Sequence, residues 1–327
     1  MATLTQIPTH PKTEDKHRFQ VGTSFGLVYL FWGSTYLAIA IAVQHFPATV
    51  LGALRFPIAG MLMLGWCLAT GKKVSISKGD ALRLLIVGVL LLTGGNVVLS
   101  WTEQYINSGL AAMIVAVVPI WVALIEMLIG GDRLNGLGWT GLLLGIGGLL
   151  ALLWPDITTG TAIGKRDLAV CLVLVLGSLS WATGSVLSRR FTLGIGPFAA
   201  TGWEMLFSGI VNALLAFSFR DFRHADWSLS GWLAILYLVI FGSLVGFTAY
   251  IWLLEHVPTP KVATYAYVNP AVAVFLGWLF RGEHIDRYMV IGMIVIIGAV
   301  VLVTTSKLRL ARRATEEQNS VCQATAD

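Results

Sequence analysis

The sequence is short of charge, of cysteine and of clustered histidine, and each shortage excludes a class of protein. Asp, Glu, Lys and Arg together make up 12% of the 327 residues. That is about half the share found in soluble domains, too little to cover a water-exposed fold of this size. Three cysteines, Cys67, Cys171 and Cys322, form neither a C-x-x-C pair nor an even set, so no disulfide framework is expected. Cys67 and Cys171 fall inside apolar blocks and read as packing residues. His10, His17, His45, His224, His256 and His284 have no metal-ligand spacing, and no HExxH or Walker phosphate loop occurs. No metal, nucleotide or other cofactor is implied, and nothing supports ATP hydrolysis by this chain. The positive charge behind a pI of about 9.2 is split among loops and both ends, which argues against a nucleic-acid partner.

What is abundant is apolar surface. Hydrophobic residues make up 56% of the chain and the mean hydropathy is +0.78. They fall in blocks near the ~20 residues that span a bilayer core. Ten spans are expected: 22–43, 48–70, 81–101, 108–130, 136–154, 168–188, 197–219, 229–253, 260–280 and 288–305. No alternating pattern of a membrane β-barrel accompanies them. Residues 1–21 are polar, read as a disordered tail rather than a cleaved signal peptide, and 306–327 form a second tail. With an even number of spans both ends share one side. If that side is the cytoplasm, fifteen of the twenty-two Lys and Arg lie on it, six lie opposite, and Arg55 is inside a span. The bias of basic residues toward cytoplasmic loops places both termini in the cytoplasm.

The chain also repeats itself. Trp32 and Trp181 are 149 residues apart, as are Arg55 and Glu204. An offset of 151 aligns Gly95 with Gly246, Trp101 with Trp252, Ala112 with Ala263, Pro119 with Pro270, Gly131 with Gly282, Gly141 with Gly292 and Gly147 with Gly298, and matches Asp132 with Glu283 in kind. Trp, Pro and Gly are informative because Leu and Val match by chance in any membrane helix. The units are 22–155 and 165–305, five spans each. An odd number of spans makes the second copy enter from the opposite face. The architecture expected is an all-α integral membrane protein of ten transmembrane helices in two inverted-topology five-helix repeats. Such repeats exchange shapes around a midplane site, which suits a carrier.

FWGSTY followed by ALRFPIAG, and the run NSGLAAMIVAVVPIWVALIEMLIGGDRLNGLGWTGLLLGIGG, resemble the EamA branch of the drug/metabolite transporter superfamily. The second copy carries SWATGS, VNPAV and FRGEHIDRYMVIGMIVIIG. The resemblance covers about residues 22–305. It implies a bacterial cytoplasmic-membrane protein that exports small metabolites such as amino acids, nucleosides or drugs. Glu204 stands where the first copy has Arg55, so the role of that arginine is not duplicated.

Several residues are candidates for the site. On a helix Trp32 and Tyr36 share a face while Ser34 and Thr35 point elsewhere, and Trp181 and Ser185 share the equivalent face. Two readings fit them: an aromatic cavity wall, or close helix contact through small residues. Arg55 lies eight residues beyond Pro47, about 12 Å down its helix. A central arginine costs at least ~2.5 kcal/mol to insert and faces the interior. It can bind a substrate carboxylate, pair with Glu204, or cap the carbonyl of Ala53 freed by Pro57. Glu204 is the proton-coupling candidate. Glu103, Glu126 and Glu255, at helix ends, read as interface residues. Pro119 and Pro270 are candidate hinges. Asn96, Tyr265 and Asn269 can contact substrate or bond neighbouring helices. The GxxxG of Gly242 and Gly246 marks packing. The reading is a secondary exporter of small metabolites by alternating access, partnered by substrate and lipid. A monomer suffices for it, and a homo-oligomer is compatible with it. An uncoupled carrier, a membrane enzyme and a channel are the alternatives.

Overall fold

The computed structural model describes residues 11–129, 135–158, 165–257, 262 and 265–324. The described residues form helices and connecting turns. Helix α1 is Pro11–Ala42, α2 Ala48–Ala69, α5 Gly136–Thr158, α6 Lys165–Arg190, α7 Pro197–Ser218, α9 Tyr265–Arg281 and α10 Arg287–Ala324. Helix α3 runs through Lys78–Gly88, a π-helical stretch Val89–Val97 and Val98–Thr102. Helix α4 is split into Ser108–Val115 and Val118–Leu128. Helix α8 joins Leu229–Tyr237, a second π-helical stretch Leu238–Val245 and Gly246–His256. Eight of these helices are long and apolar enough to cross a membrane. Two shorter apolar helices, Gly136–Ala151 and Val268–Arg281, fill the fifth and ninth places. The ten expected spans are therefore present in two runs of five.

The ends are set locally. Pro47 precedes α2, Pro197 opens α7, and the Ser77 hydroxyl accepts the backbone N–H of Asp80 to cap α3. The second helix of each repeat stops on a left-handed residue at the matched position, Gly71 at φ 69° and Arg220 at φ 60°. Glycine takes that conformation freely, whereas arginine strains to. Two expectations about the ends fail. Helix α1 begins at Pro11, so half of the expected N-terminal tail is helical, and α10 continues to Ala324 through most of the expected C-terminal tail. Residues 1–10 and 325–327 lie outside the described residues. So do Gly131, Asp132 and Ala263 of the internal repeat.

The second, fourth and fifth helices of one repeat pack against their equivalents in the other. On α2 and α7 the contacts are reciprocal. A Cβ on Gly60 would stand 2.9 Å from the nitrogen of Leu206, and one on Gly209 would stand 2.8 Å from the nitrogen of Pro57. Gly60 matches Gly209 and Pro57 matches Leu206 at the offset of 149. This is what a pseudo-two-fold axis requires. The fifth helices pair likewise, a Cβ on Gly141 standing 2.8 Å from the carbonyl oxygen of Ala299. Small residues let the backbones approach this closely where lipid supplies no hydrophobic drive.

Candidate functional site

The two π-helical stretches occupy the same place in each repeat, the middle of the third helix, and both line an inner cavity. A π turn carries an extra residue and turns the following side chains away from the α-helical register, a feature frequent at functional sites. The cavity, about 90 Å³, is bounded by Trp32, Thr35 and Tyr36 of α1, Arg55 of α2, Gly95, Asn96 and Leu99 of α3, Val115 of α4, Leu174, Gly177, Ser178 and Trp181 of α6, Gly242 and Phe247 of α8, and Asn269 of α9.

The two tryptophans are seated by the third helix of the opposite repeat. Trp32 Nε1 donates to the carbonyl of Gly242 at 3.2 Å, and a Cβ on Gly246 would stand 2.7 Å from Trp32 Cδ1. Trp181 covers Gly95, where a Cβ would stand 2.9 Å from its ring. Gly95 and Gly246 are matched residues of the repeat. The GxxxG of α8 is thus a packing feature, as expected, and what packs on it is Trp32. Around Trp32 the rings of Phe247, Tyr250 and Tyr265 lie with centroids 5.3, 4.9 and 5.1 Å away.

Arg55 supplies the charge. It is 3% exposed. Its Nε donates to Ser243 Oγ at 3.1 Å and its Nη1 to Asn96 Oδ1 at 3.2 Å. Among the described residues no ion pair joins it to Glu204. Both of these acceptors are neutral. Across the cavity, Asn269 is buried and its Oδ1 has no hydrogen-bond partner among the described residues.

Six of the eight expected substrate residues therefore meet in one cavity: Trp32, Tyr36, Arg55, Asn96, Trp181 and Asn269. Ser185 and Tyr265 are not among its lining residues. Ser185 turns its hydroxyl back to the carbonyl of Trp181 at 2.8 Å, and Tyr265 stands behind Trp32. Thr35, expected to point elsewhere, lines the cavity, while Ser34 bonds the Tyr237 hydroxyl at 2.6 Å. Glu204 is buried on α7 but does not line the cavity. Its backbone lies against Gly88. The prolines do unlike things: Pro119 opens the second segment of a split α4, while Pro270 sits inside a continuous α9. Glu126 pairs with Arg189 at 3.0 Å. Glu103 is not an interface residue, being 4% exposed. The side chain of Glu255 lies outside the described residues.

A larger cavity of about 840 Å³ lies toward the face that carries the chain ends. Its walls are Phe19, Gln20, Thr23, Ser24 and Leu27 of α1, Leu62, Met63 and Trp66 of α2, Lys72, Phe198 of α7, and Leu244, Val245, Thr248, Ala249 and Trp252 of α8. Along α1 its residues precede those of the inner cavity, and the cluster around Trp32 marks the boundary. Lys72 Nζ sits 4.5 Å from the ring centres of both Trp66 and Phe198, a cation–π arrangement. On the opposite face the repeats are tied together. Asp226 Oδ2 meets His45 Nδ1 at 2.7 Å. Glu283 accepts from Ser108 Oγ at 2.8 and 2.9 Å, from the Ser108 N–H at 3.1 Å and from the Gly109 N–H at 3.2 Å. Its carboxylate thus caps the start of α4.

Two stretches spell catalytic patterns: GTSFG, 22–26, matches GxSxG, and GLGWTG, 136–141, matches GxGxxG. The first lies within α1 and the second opens α5. Neither has the strand-to-helix setting that gives those patterns their chemistry.

Comparison with known proteins agrees with the ten-helix, two-repeat fold. The EamA-like transporter family matches residues 23–154 and again 168–305. The uncharacterized inner membrane transporter YedA of Escherichia coli strain K12 is 37% identical over 287 residues, 88% of this chain and 90% of that protein. The uncharacterized transporter YoaV of Bacillus subtilis is 23% identical, over 82% of this chain and 91% of its own length. A chloroplastic WAT1-related protein of Arabidopsis thaliana is 26% identical over 84% of this chain and 67% of its own length. A crystal structure superposes with a TM-score of 0.63 at 20% identity, covering 89% of this chain and 98% of the other, a likeness of fold. Two family matches in tandem, each over five helices, and relatives aligned over most of their length make this chain a multi-pass membrane transporter of the EamA-like family, within the drug/metabolite transporter superfamily.

Proposed function

We propose that the protein exports small zwitterionic metabolites of the amino-acid class across the cytoplasmic membrane, with the inner cavity as the substrate site. The observation that carries this reading is a cation without an ion-pair partner and an amide oxygen without a donor, among the described residues, across one aromatic-walled cavity. Arg55 has neutral acceptors only, and the Asn269 oxygen has none. A guanidinium takes a carboxylate through parallel charge-assisted bonds. A free amide oxygen takes an ammonium N–H. Trp32, Trp181 and Tyr36 supply faces for the apolar part of the cargo.

The mechanism proposed is alternating access between the inverted repeats. Both chain ends lie in the cytoplasm, on the bias of basic residues. The large cavity then opens inward and serves as the entry vestibule, with Trp32 at its floor. At about 90 Å³ the inner cavity is well below the ~300 Å³ of ordinary ligand pockets, so the site widens as the helices move to take cargo. Pro119 and Pro270 are its hinge points, and the α4 break gives the first more freedom than the second. One copy holds a whole site, so a monomer suffices. Glu204 serves as a proton carrier only if its helix moves it toward the path, and uncoupled export is the alternative to proton antiport. Metabolite profiling of medium from cells with the protein, without it, and with Arg55→Ala tests the reading. Amino acids that accumulate only with the parent protein support it. Equal export by Arg55→Ala refutes the carboxylate site.

A further inference from the structure

Glu103 is the buried carboxylate that this reading leaves without a task. It follows Thr102 at the end of α3, on the face opposite the chain ends, and is 4% exposed. Neither carboxylate oxygen has a hydrogen-bond partner among the described residues. The charged groups facing it come from the α9–α10 corner, Glu283 and Arg281, and its own charge reaches Tyr36 of α1 in the inner cavity. Glu283 is the residue whose four accepted hydrogen bonds tie the second repeat to the start of α4 in the first. Arg281 lies 3.6 Å from Glu283. Glu103 therefore lies five residues before the tied Ser108, with no donor among the described residues.

An ionised carboxylate without partners is expensive to bury, and a second carboxylate nearby makes it worse. A neutral carboxylic acid meets neither objection. Burial, and then the Glu283 charge, push the Glu103 carboxyl well above the usual carboxylate range, with Arg281 acting the other way.

We propose that Glu103 is a proton-binding site, and that its bound proton holds the Glu283–α4 tie closed on this face. The inference rests on the alternating-access reading. Opening the tie hydrates Glu103, which then releases its proton. The closed form binds the proton more tightly. Closure is therefore complete while Glu103 is protonated and is lost as pH rises through its closed-state pKa.

The test uses the full chain in lipid nanodiscs, with Gln104→Cys and His284→Cys spin-labelled and Cys322→Ser as background. Both labelled positions are exposed, and Cys67 and Cys171 are buried. Electron–electron distance distributions are recorded at about pH 5.5 and about pH 8.5, either side of neutrality. The short distance should dominate in acid, and a longer one should grow with pH by up to about tenfold per unit, the limit for one proton. Glu103→Gln should stay short at both. A pH response unchanged in Glu103→Gln, a response lost in Glu204→Gln instead, or opening in acid would each overturn the proposal. Glu283→Ala separates this failure from a failure of the carrier reading. If it lengthens the distance at every pH while Glu103→Gln responds like the parent, only the proton site is wrong. If no variant ever lengthens it, alternating access and the proton site fall together.

Discussion

Replacing Arg55 by Met distinguishes a substrate ligand from a structural ion, because the two roles give opposite results in stability. Arg55 is 3% exposed, eight residues into the 22 of α2. Holding a charge there costs about 2.5–3.5 kcal/mol on insertion scales. Two hydrogen bonds from a charged donor, to Ser243 and Asn96, return about 3–6 kcal/mol. The two ranges overlap, and Met fills the volume while removing the cost, so Arg55→Met should fold with a melting temperature close to the parent's. A buried ion pair broken on one side would instead lose about 3–5 kcal/mol. Binding should behave differently. Losing a two-pronged carboxylate contact of about 1.5–3 kcal/mol weakens affinity about ten- to more than a hundredfold. The assay is thermal unfolding of purified protein against a panel of amino acids. The parent should be stabilised by a subset, and Arg55→Met by none. A variant that fails to assemble, or one that keeps the parent's ligand shifts, would refute the reasoning.

Other expectations follow from single contacts. Gly246→Val puts branched carbon where a Cβ already stands 2.7 Å from Trp32 Cδ1. It should unseat the ring and abolish ligand-induced thermal shifts, with unfolding several degrees lower in a thermal scan. Asp226 is held below the usual carboxylate range, first by its hydrogen bond with His45 and then by Ser228. Its contribution to the loop contact is therefore present above the ordinary carboxylate pKa and lost as pH falls through the lowered value. Hydrogen exchange of the α7–α8 loop should rise in acid in the parent and lose that dependence in Asp226→Asn. Glu204→Gln should lower pH-driven export in proteoliposomes if Glu204 carries the proton, and an unchanged rate would remove it from the mechanism.

Much of this molecule is decided by runs of side chains along the chain. The lengths of the apolar blocks specify ten helices because a bilayer fixes the length of a spanning helix. The spacing of rare residues, Trp32 to Trp181 and Pro119 to Pro270, specifies the repeat, and five helices per repeat invert it. Arg55 and Asn269 stand out because a charge or an amide in such a block needs an interior partner. What faces what was decided only by tertiary structure. On α1 and α6 a face drawn at four-residue spacing takes in Ser185 and leaves out Thr35, whereas the Ser185 hydroxyl turns back to the carbonyl of Trp181 and Thr35 lines the cavity. Arg55 and Glu204 match in sequence yet do not pair, because the axis brings α2 against α7 at Gly60 and Gly209 rather than at their charges. Glu103 looked like a helix end at the membrane surface. It is buried, and the charges that reach it are those of Arg281 and Glu283, 178 and 180 residues further along, and no local pattern encodes an interaction of that range.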